Sequence, residues 1–295
     1  PEIVNQAHEN GVLDVKILSK EEILKLEPHI DSKVLGGVVI PGETAVDPWV
    51  TPIFYLHHAL RNGATIQRNC AIVSGKLENR QNGKVWRLTN QHHQDLYARV
   101  VVNCAGNYGD IVERIHTKPH FNMKPRKGQF VVFRSSAPSP LLNHILLPIP
   151  TERTKGVLVA KTVHGNVLVG PTAEDQNERD AAPLDSEIQE KLLQKGLQVI
   201  PKLAGYKDHV TSYTGVRPAT QYKDYQLGAD PDCQWITVAG IRSTGLTASL
   251  ALGKYVASMM ETQLASSCVP QRSALPFGRE EEIVQDILKA VDNAK

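Results

Sequence analysis

One stretch constrains this chain more than any other: the apolar strand Trp235-Ile-Thr-Val-Ala239, which turns through Gly240 and Gly245 into a helix reaching about Met260. A buried strand feeding a helix through two glycines is a unit of an α/β sheet. The helix carries Ala248, Ser249, Ala251 and Gly253. Side chains that small let another backbone or a flat ring approach closely. Its first turn presents unpaired N–H groups and a partial positive charge, which suits an anionic group. An ordinary strand-turn-helix unit explains the same residues, and both readings stand at this point.

Two further segments carry chemical information. Val100-Val-Val-Asn-Cys-Ala-Gly106 is a strand that ends in small residues. In a dinucleotide-binding fold such an ending leaves room for the nucleotide at the carboxyl edge of the sheet. Tyr213-Thr-Gly-Val-Arg-Pro218 puts Arg217 at the end of an expected strand, just before a proline that breaks it. A guanidinium there grips a carboxylate or phosphate with two hydrogen bonds, or forms a structural ion pair.

The remaining elements follow from local signals. Ser19-Lys-Glu-Glu22 has the form of a capping box and predicts a helix through Leu26, stopped by Pro28. Val34 to Ile40 reads as a strand. Asp47-Pro48 reads as the cap and first position of a second helix ending at Asn62-Gly63. Strands are expected over 64–67, 71–77, 85–88 and 98–103, with Asn82-Gly83 as a hairpin turn. A second set is expected over 129–133, 144–147, 157–161 and 167–169, with His164-Gly165-Asn166 as a tight turn. A helix over 184–199 and strands near 210–213 and 225–227 complete the middle. The segment 266–277 reads as a linker and 280–294 as a peripheral or partner-contacting helix.

With 33 basic and 31 acidic side chains the formal charge is only +2, which gives no reason to expect nucleic acid or an anionic membrane as partner. No apolar run approaches the ~20 residues of a transmembrane helix. The four cysteines, Cys70, Cys104, Cys233 and Cys268, form no C-x-x-C pair. The expectation is therefore free thiols in a reducing intracellular compartment, cytoplasm or mitochondrion. The dispersed histidines show no spacing that demands a metal.

Taken in this order, the three segments resemble the D-amino-acid-oxidase-type superfamily of FAD-dependent oxidoreductases. Val46-Asp-Pro48, Gly63-Ala-Thr65, Pro125-Arg-Lys-Gly128, the run Val163 to Asp175, and Gly240-Ile-Arg-Ser-Thr-Gly-Leu-Thr-Ala-Ser249 narrow the likeness. It is nearest the branch holding anaerobic-type glycerol-3-phosphate dehydrogenases and L-2-hydroxyglutarate dehydrogenases. The resemblance runs from about Leu18 to Met260. It implies a mixed α/β (α+β) fold with a split, Rossmann-like FAD-binding domain and an antiparallel-sheet substrate domain. The expected segments are 1–45 and 118–229 for the substrate domain, 46–117 and 230–265 for the FAD domain, and 266–295 as a tail. Such proteins open with a G-x-G-x-x-G turn. None occurs in this sequence, so the chain is expected to be the carboxyl-terminal part of such a protein.

Carried over by position, Val102, Ala105 and Gly106 would lie near the adenosine end of FAD. Gly240, Ile241, Gly245, Leu246 and Thr247 would line the flavin and ribityl chain. Arg217 would bind the acidic group of a small anionic substrate, with Arg242 as second candidate. The resemblance implies a dehydrogenase acting on glycerol 3-phosphate or a 2-hydroxy acid. An amine or amino-acid oxidase and a non-catalytic flavoprotein-like fragment are the alternatives. The residues single out neither an electron acceptor nor a general base. His57, His58 and His164 read as packing or turn residues, and Arg126 and Lys127 as either substrate-lining or solvated.

Overall fold

A computed structural model describes residues 2–134, 141–149, 156–263 and 285. In chain order the elements are α1 (Glu2–Glu9), β1 (Lys16–Ser19), α2 (Lys20–Leu26), β2 (Gly36–Val39), α3 (Val50–Arg61), β3 (Ile72–Arg80), β4 (Gly83–Asn90), β5 (Asp95–Ala98), β6 (Val101–Asn103), α4 (Gly109–Glu113) and β7 (Arg126–Phe133). There follow β8 (Leu158–Lys161), β9 (Val167–Gly170), β10 (Glu174–Asp175), α5 (Ser186–Val199), β11 (Val210–Arg217), β12 (Gln226–Asp230), β13 (Trp235–Ala239) and α6 (Gly245–Gln263). The fold is mixed α/β with antiparallel sheets, as expected. The chain divides into two compact units.

The first unit comprises Pro1–Asp47, Lys127–Glu174 and Ala181–Gly215. Its main sheet has the order β10-β7-β9-β8, with β11 also paired to β7. Alternate residues Val131, Phe133, Val167 and Val169 face a core completed by Leu192, Ile200 and Leu203. Helix α5 is capped by Asp185, whose carboxylate accepts the Glu187 and Ile188 N–H groups. The helix comes close to the sheet at Gly196, where a Cβ would stand 2.9 Å from Val169 Cγ2. The capping box of α2 forms in full, with Ser19 and Glu22 each satisfying the other's backbone N–H. Just past that helix the buried Glu27 accepts the Asn143 N–H at 2.9 Å and the His144 N–H and Nδ1, each at 2.6 Å.

The second unit comprises Pro48–Arg126, Asp175–Asp180 and Val216–Lys295. Here β13 pairs in parallel with β6 and antiparallel with β12, while β3, β4 and β5 form a separate antiparallel sheet. Helix α4 supplies two buried carboxylates. Glu113 accepts Asn103 Nδ2 at 2.9 Å, Trp235 Nε1 at 3.1 Å and the Thr237 hydroxyl at 2.7 Å. Asp110 accepts two bonds from Arg179, at 2.7 and 3.1 Å, and the Met123 N–H at 3.1 Å.

Several expected boundaries move, each for a local reason. Helix α3 starts at Val50 with Trp49 in the cap position and no side-chain cap. Asp47 lies 3.3 Å from His164 Nε2. No strand forms over 64–67. The Ala64 N–H bonds back to Ala59 O and Gly63 to Leu60 O, with Gly63 at φ +90, so a Schellman motif claims this backbone. The run expected as one strand over 98–103 is two: β5 ends at Ala98 on β4, and β6 begins at Val101 on β13. Residues 144–147 contribute only the bridge Leu146–Val159, because Glu27 holds the segment at His144. The expected linker and helix over 266–294, and Cys268, lie outside the described residues apart from position 285.

Two stability predictions follow from α4. Glu113→Gln keeps the shape but turns an acceptor oxygen into a donor facing another donor, which costs roughly 1–3 kcal/mol; urea unfolding checks this. Burial alone would raise the Asp110 carboxyl, but the Arg179 bonds and the Met123 N–H hold it below its usual value. Its stabilisation is then fully present above the unfolded value of about 3.9 and is lost as pH falls through the lower folded value. Arg179→Met is therefore expected to be less stable than the parent near about pH 6, with the gap narrowing toward about pH 2 as Asp110 protonates. A gap independent of pH would contradict this.

Candidate functional site

Parallel pairing decides where the site residues meet. The register Trp235–Val101, Ile236–Val102, Thr237–Asn103 brings the carboxyl ends of β6 and β13 to one edge of the sheet. In open α/β sheets that edge is where nucleotides bind. Beyond β6 the chain passes through Ala105 and Gly106 (φ +55) into a 3₁₀ turn, Gly106–Tyr108, and then α4. Beyond β13 it passes through Gly240 (φ +69) and Ile241 to the start of α6 at Gly245. Both glycines hold a left-handed backbone that costs other residues about 1–2 kcal/mol.

The start of α4 packs closely on the end of β13. A Cβ on Gly109 would stand 3.4 Å from Ala239 Cβ. Asn103 stitches its own loop, donating to Gly109 O at 2.9 Å and accepting from the Ala105 N–H at 3.3 Å. All of the residues expected around FAD thus lie in the second unit, on these two loops and their flanking elements. Val102 stands on β6; Leu246 and Thr247 occupy the first turn of α6.

Their environment suits a flat group with a polar rim. Val102 is 36% exposed although its register partner Ile236 is 0% exposed. Nothing lies within 4 Å of a Cβ built on Gly106 or Gly253. Leu246 and Leu250 on α6 are also exposed. None of the eight expected cofactor residues carries a charge, so a ring held here would meet no charged side chain among them, and the first N–H groups of α6 would suit an anionic rim. On these observations the residues present fit FAD. They include no G-x-G-x-x-G turn to hold its pyrophosphate.

The cationic part of the site gathers three guanidiniums. Arg217, at the end of β11, is half-buried. Burial, and then the positive charges of Arg126 and Arg242, push its pKa below the usual guanidinium value. Arg217 Nε points to Arg126 O at 3.5 Å. Arg126 pairs with Asp175 at 2.6 Å, and Arg242 donates to Lys223 O at 2.6 Å. Arg242 precedes Gly245 by three residues, so the cluster lies within electrostatic reach of the loop opening α6. That loop is tied down by a hydrogen bond between the Tyr225 and Thr244 hydroxyls.

Sequence reasoning left Arg126 undecided, because nothing local shows that the end of β7 meets Arg217; only the β7–β11 pairing does. Lys127, next to it, pairs with Glu174 at 3.2 Å in the first unit. Sequence reasoning also missed the anchoring roles of Asn103, Asp110 and Glu113, whose partners include residues 10 to 124 positions away. His57 is fully buried on α3, and His164 is exposed in its turn.

Comparison with known proteins agrees with this geometry. The family model described as FAD dependent oxidoreductase matches residues 2–259. A glycerol 3-phosphate dehydrogenase from Caloramator mitchellensis is 29% identical over 281 residues, 93% of this chain and 57% of that protein. The L-2-hydroxyglutarate dehydrogenase of Escherichia coli K12 is 26% identical over 305 residues, covering 90% of this chain and 70% of its own length. The dithionite-reduced L-α-glycerophosphate oxidase of Mycoplasma pneumoniae, solved with FAD bound, superposes with a TM-score of 0.77 at 25% identity, over 94% of this chain and 75% of that one. The chain therefore spans little more than half to three quarters of these proteins. With the family model covering most of its residues, this chain belongs to the FAD dependent oxidoreductase family.

Proposed function

We propose that the protein is an FAD-dependent oxidoreductase of the glycerol-3-phosphate dehydrogenase/oxidase type, with a small anionic polyol phosphate as substrate. The observation that carries this reading is the cluster of Arg126, Arg217 and Arg242 beside the loop that opens α6. A half-buried guanidinium with two further arginines near it favours a phosphate dianion more than a singly charged carboxylate. Likeness to glycerol 3-phosphate dehydrogenase and to L-α-glycerophosphate oxidase supports the same substrate class. We assign cofactor binding to the second unit, which also carries Arg126, Arg217 and Arg242.

FAD, when bound, supplies the acceptor for a hydride from the substrate C–H while the hydroxyl proton leaves, so that an alcohol becomes a carbonyl and two electrons pass to the cofactor. The chain's own contribution is to position. Arg217 grips the phosphate with two hydrogen bonds, Arg242 adds a second cation, and Arg126 raises the local potential. Holding the anion fixes the distance and angle of the C–H bond, which is where most of the advantage of a bound over a free encounter arises. Gly240 makes the positive-φ turn that leads to α6, and Gly245 lets Ile241 pack against the start of that helix.

The test uses the protein at its natural length, loaded with FAD. Anaerobic addition of glycerol 3-phosphate is expected to bleach the flavin absorbance, whereas L-2-hydroxyglutarate and glycine derivatives leave it unchanged. Arg217→Ala is expected to raise KM for glycerol 3-phosphate roughly 30-fold or more, the loss of a bidentate charge-assisted contact of about 2 kcal/mol. An unchanged KM, or bleaching by the hydroxy acid alone, would overturn the substrate assignment.

A further inference from the structure

At the opposite end of β13 from Gly240, the fold assembles a group of side chains that the redox reading does not use. His116, just past α4, lies with Nε2 at 3.3 Å from Asp230 Oδ2. Asp230 ends β12, and Cys233 follows three positions later in the turn before β13. One ligand atom from each of the three lies within 4.8 Å of the other two. We propose that His116, Asp230 and Cys233 form a binding site for a zinc-like divalent cation, with water as fourth ligand.

Donor chemistry supports the ion. An imidazole nitrogen, a carboxylate oxygen and a thiolate sulfur are a set zinc accepts, with bonds of roughly 2.0–2.3 Å. Magnesium and calcium prefer oxygen alone. The frame around the ligands is held independently of any ion. The His116 ring is 5% exposed and stacks on Trp235, centroids 5.2 Å apart at 23°, with Trp86 edge-on at 6.4 Å. Its Nδ1 finds no partner among the described residues, so the polar contact of the ring falls on Nε2, the side where Asp230 stands. Trp86 Nε1 donates to Cys233 O at 2.7 Å, and the Cys233 N–H donates to Asp230 Oδ1 at 3.1 Å. These bonds close a D-x-x-C turn, leaving Oδ2 and the thiol to converge.

The side chain of Asp230 is 40% exposed. Water therefore reaches the site, and a rotamer change of this one residue draws the set in toward tetrahedral spacing, about 3.5 Å between ligand atoms. Strand β13 is five residues long, so the site stands about 15 Å or more from the loop expected to face the flavin. An ion here would staple the end of α4 to the β12–β13 turn, a stabilising role rather than a part in turnover.

The test is cobalt substitution in the full-length protein after chelator treatment. One equivalent of Co²⁺ is expected to give a thiolate-to-cobalt charge-transfer absorption that Zn²⁺ then abolishes by displacement, and Zn²⁺ is expected to raise Tm by mass action. Cys233→Ser, which changes one atom, should abolish the absorption and weaken Zn²⁺ binding by about tenfold or more, with circular dichroism confirming the fold. Asp230→Asn should weaken binding likewise, while Cys70→Ser and Cys104→Ser keep the absorption. Its absence from the parent protein, or its persistence in Cys233→Ser, would overturn the proposal.

Discussion

The second unit is organised around a carboxylate with no water to solvate it. Glu113 is 4% exposed, and its two oxygens take hydrogen bonds from Asn103, Trp235 and Thr237. A buried carboxylate is tolerable only when donors surround it. The three donors come from β6 and β13, so the cost of burying the charge is offset only if both strands and α4 hold their places together. That arrangement aims the loops beyond β6 and β13 at the same sheet edge. Removing any one donor leaves the others bonding to a charge that is worse satisfied, so the network acts as a unit.

From this anchor the division of labour along β13 follows. At the carboxyl end, positive-φ glycines and uncharged side chains leave an open, apolar edge with helix N–H groups beside it. At the other end, the tryptophans hold His116 next to the Asp230 turn. Beside that edge Arg217 is half-buried, with Arg126 and Arg242 near enough to lower its pKa, and the proposed reading places the anionic group of the substrate there.

Much of this was legible locally. Ser19 and Glu22 announced their helix, Asn82-Gly83 its hairpin, and Trp235–Gly245 its strand-turn-helix, because each signal lies within a few residues of the structure it specifies. The glycine-flanked loops were also legible, since only glycine reaches a left-handed backbone at low cost. Contacts between distant segments were not. The Arg126–Arg217 approach depends on strand pairing, and the partners of Glu113 and Asp110 lie on elements far along the chain. The split at residues 99–100 was hidden because an apolar run such as 100–102 does not say which sheet a strand joins.

Hydrogen exchange on the natural-length protein, with and without FAD, tests most directly whether the common edge of β6 and β13 faces the cofactor. Binding is expected to slow exchange at residues 103–109 and 240–247 together, while the β3–β4–β5 sheet stays unchanged. Protection confined to one of these loops, or appearing only in the first unit, would contradict the account.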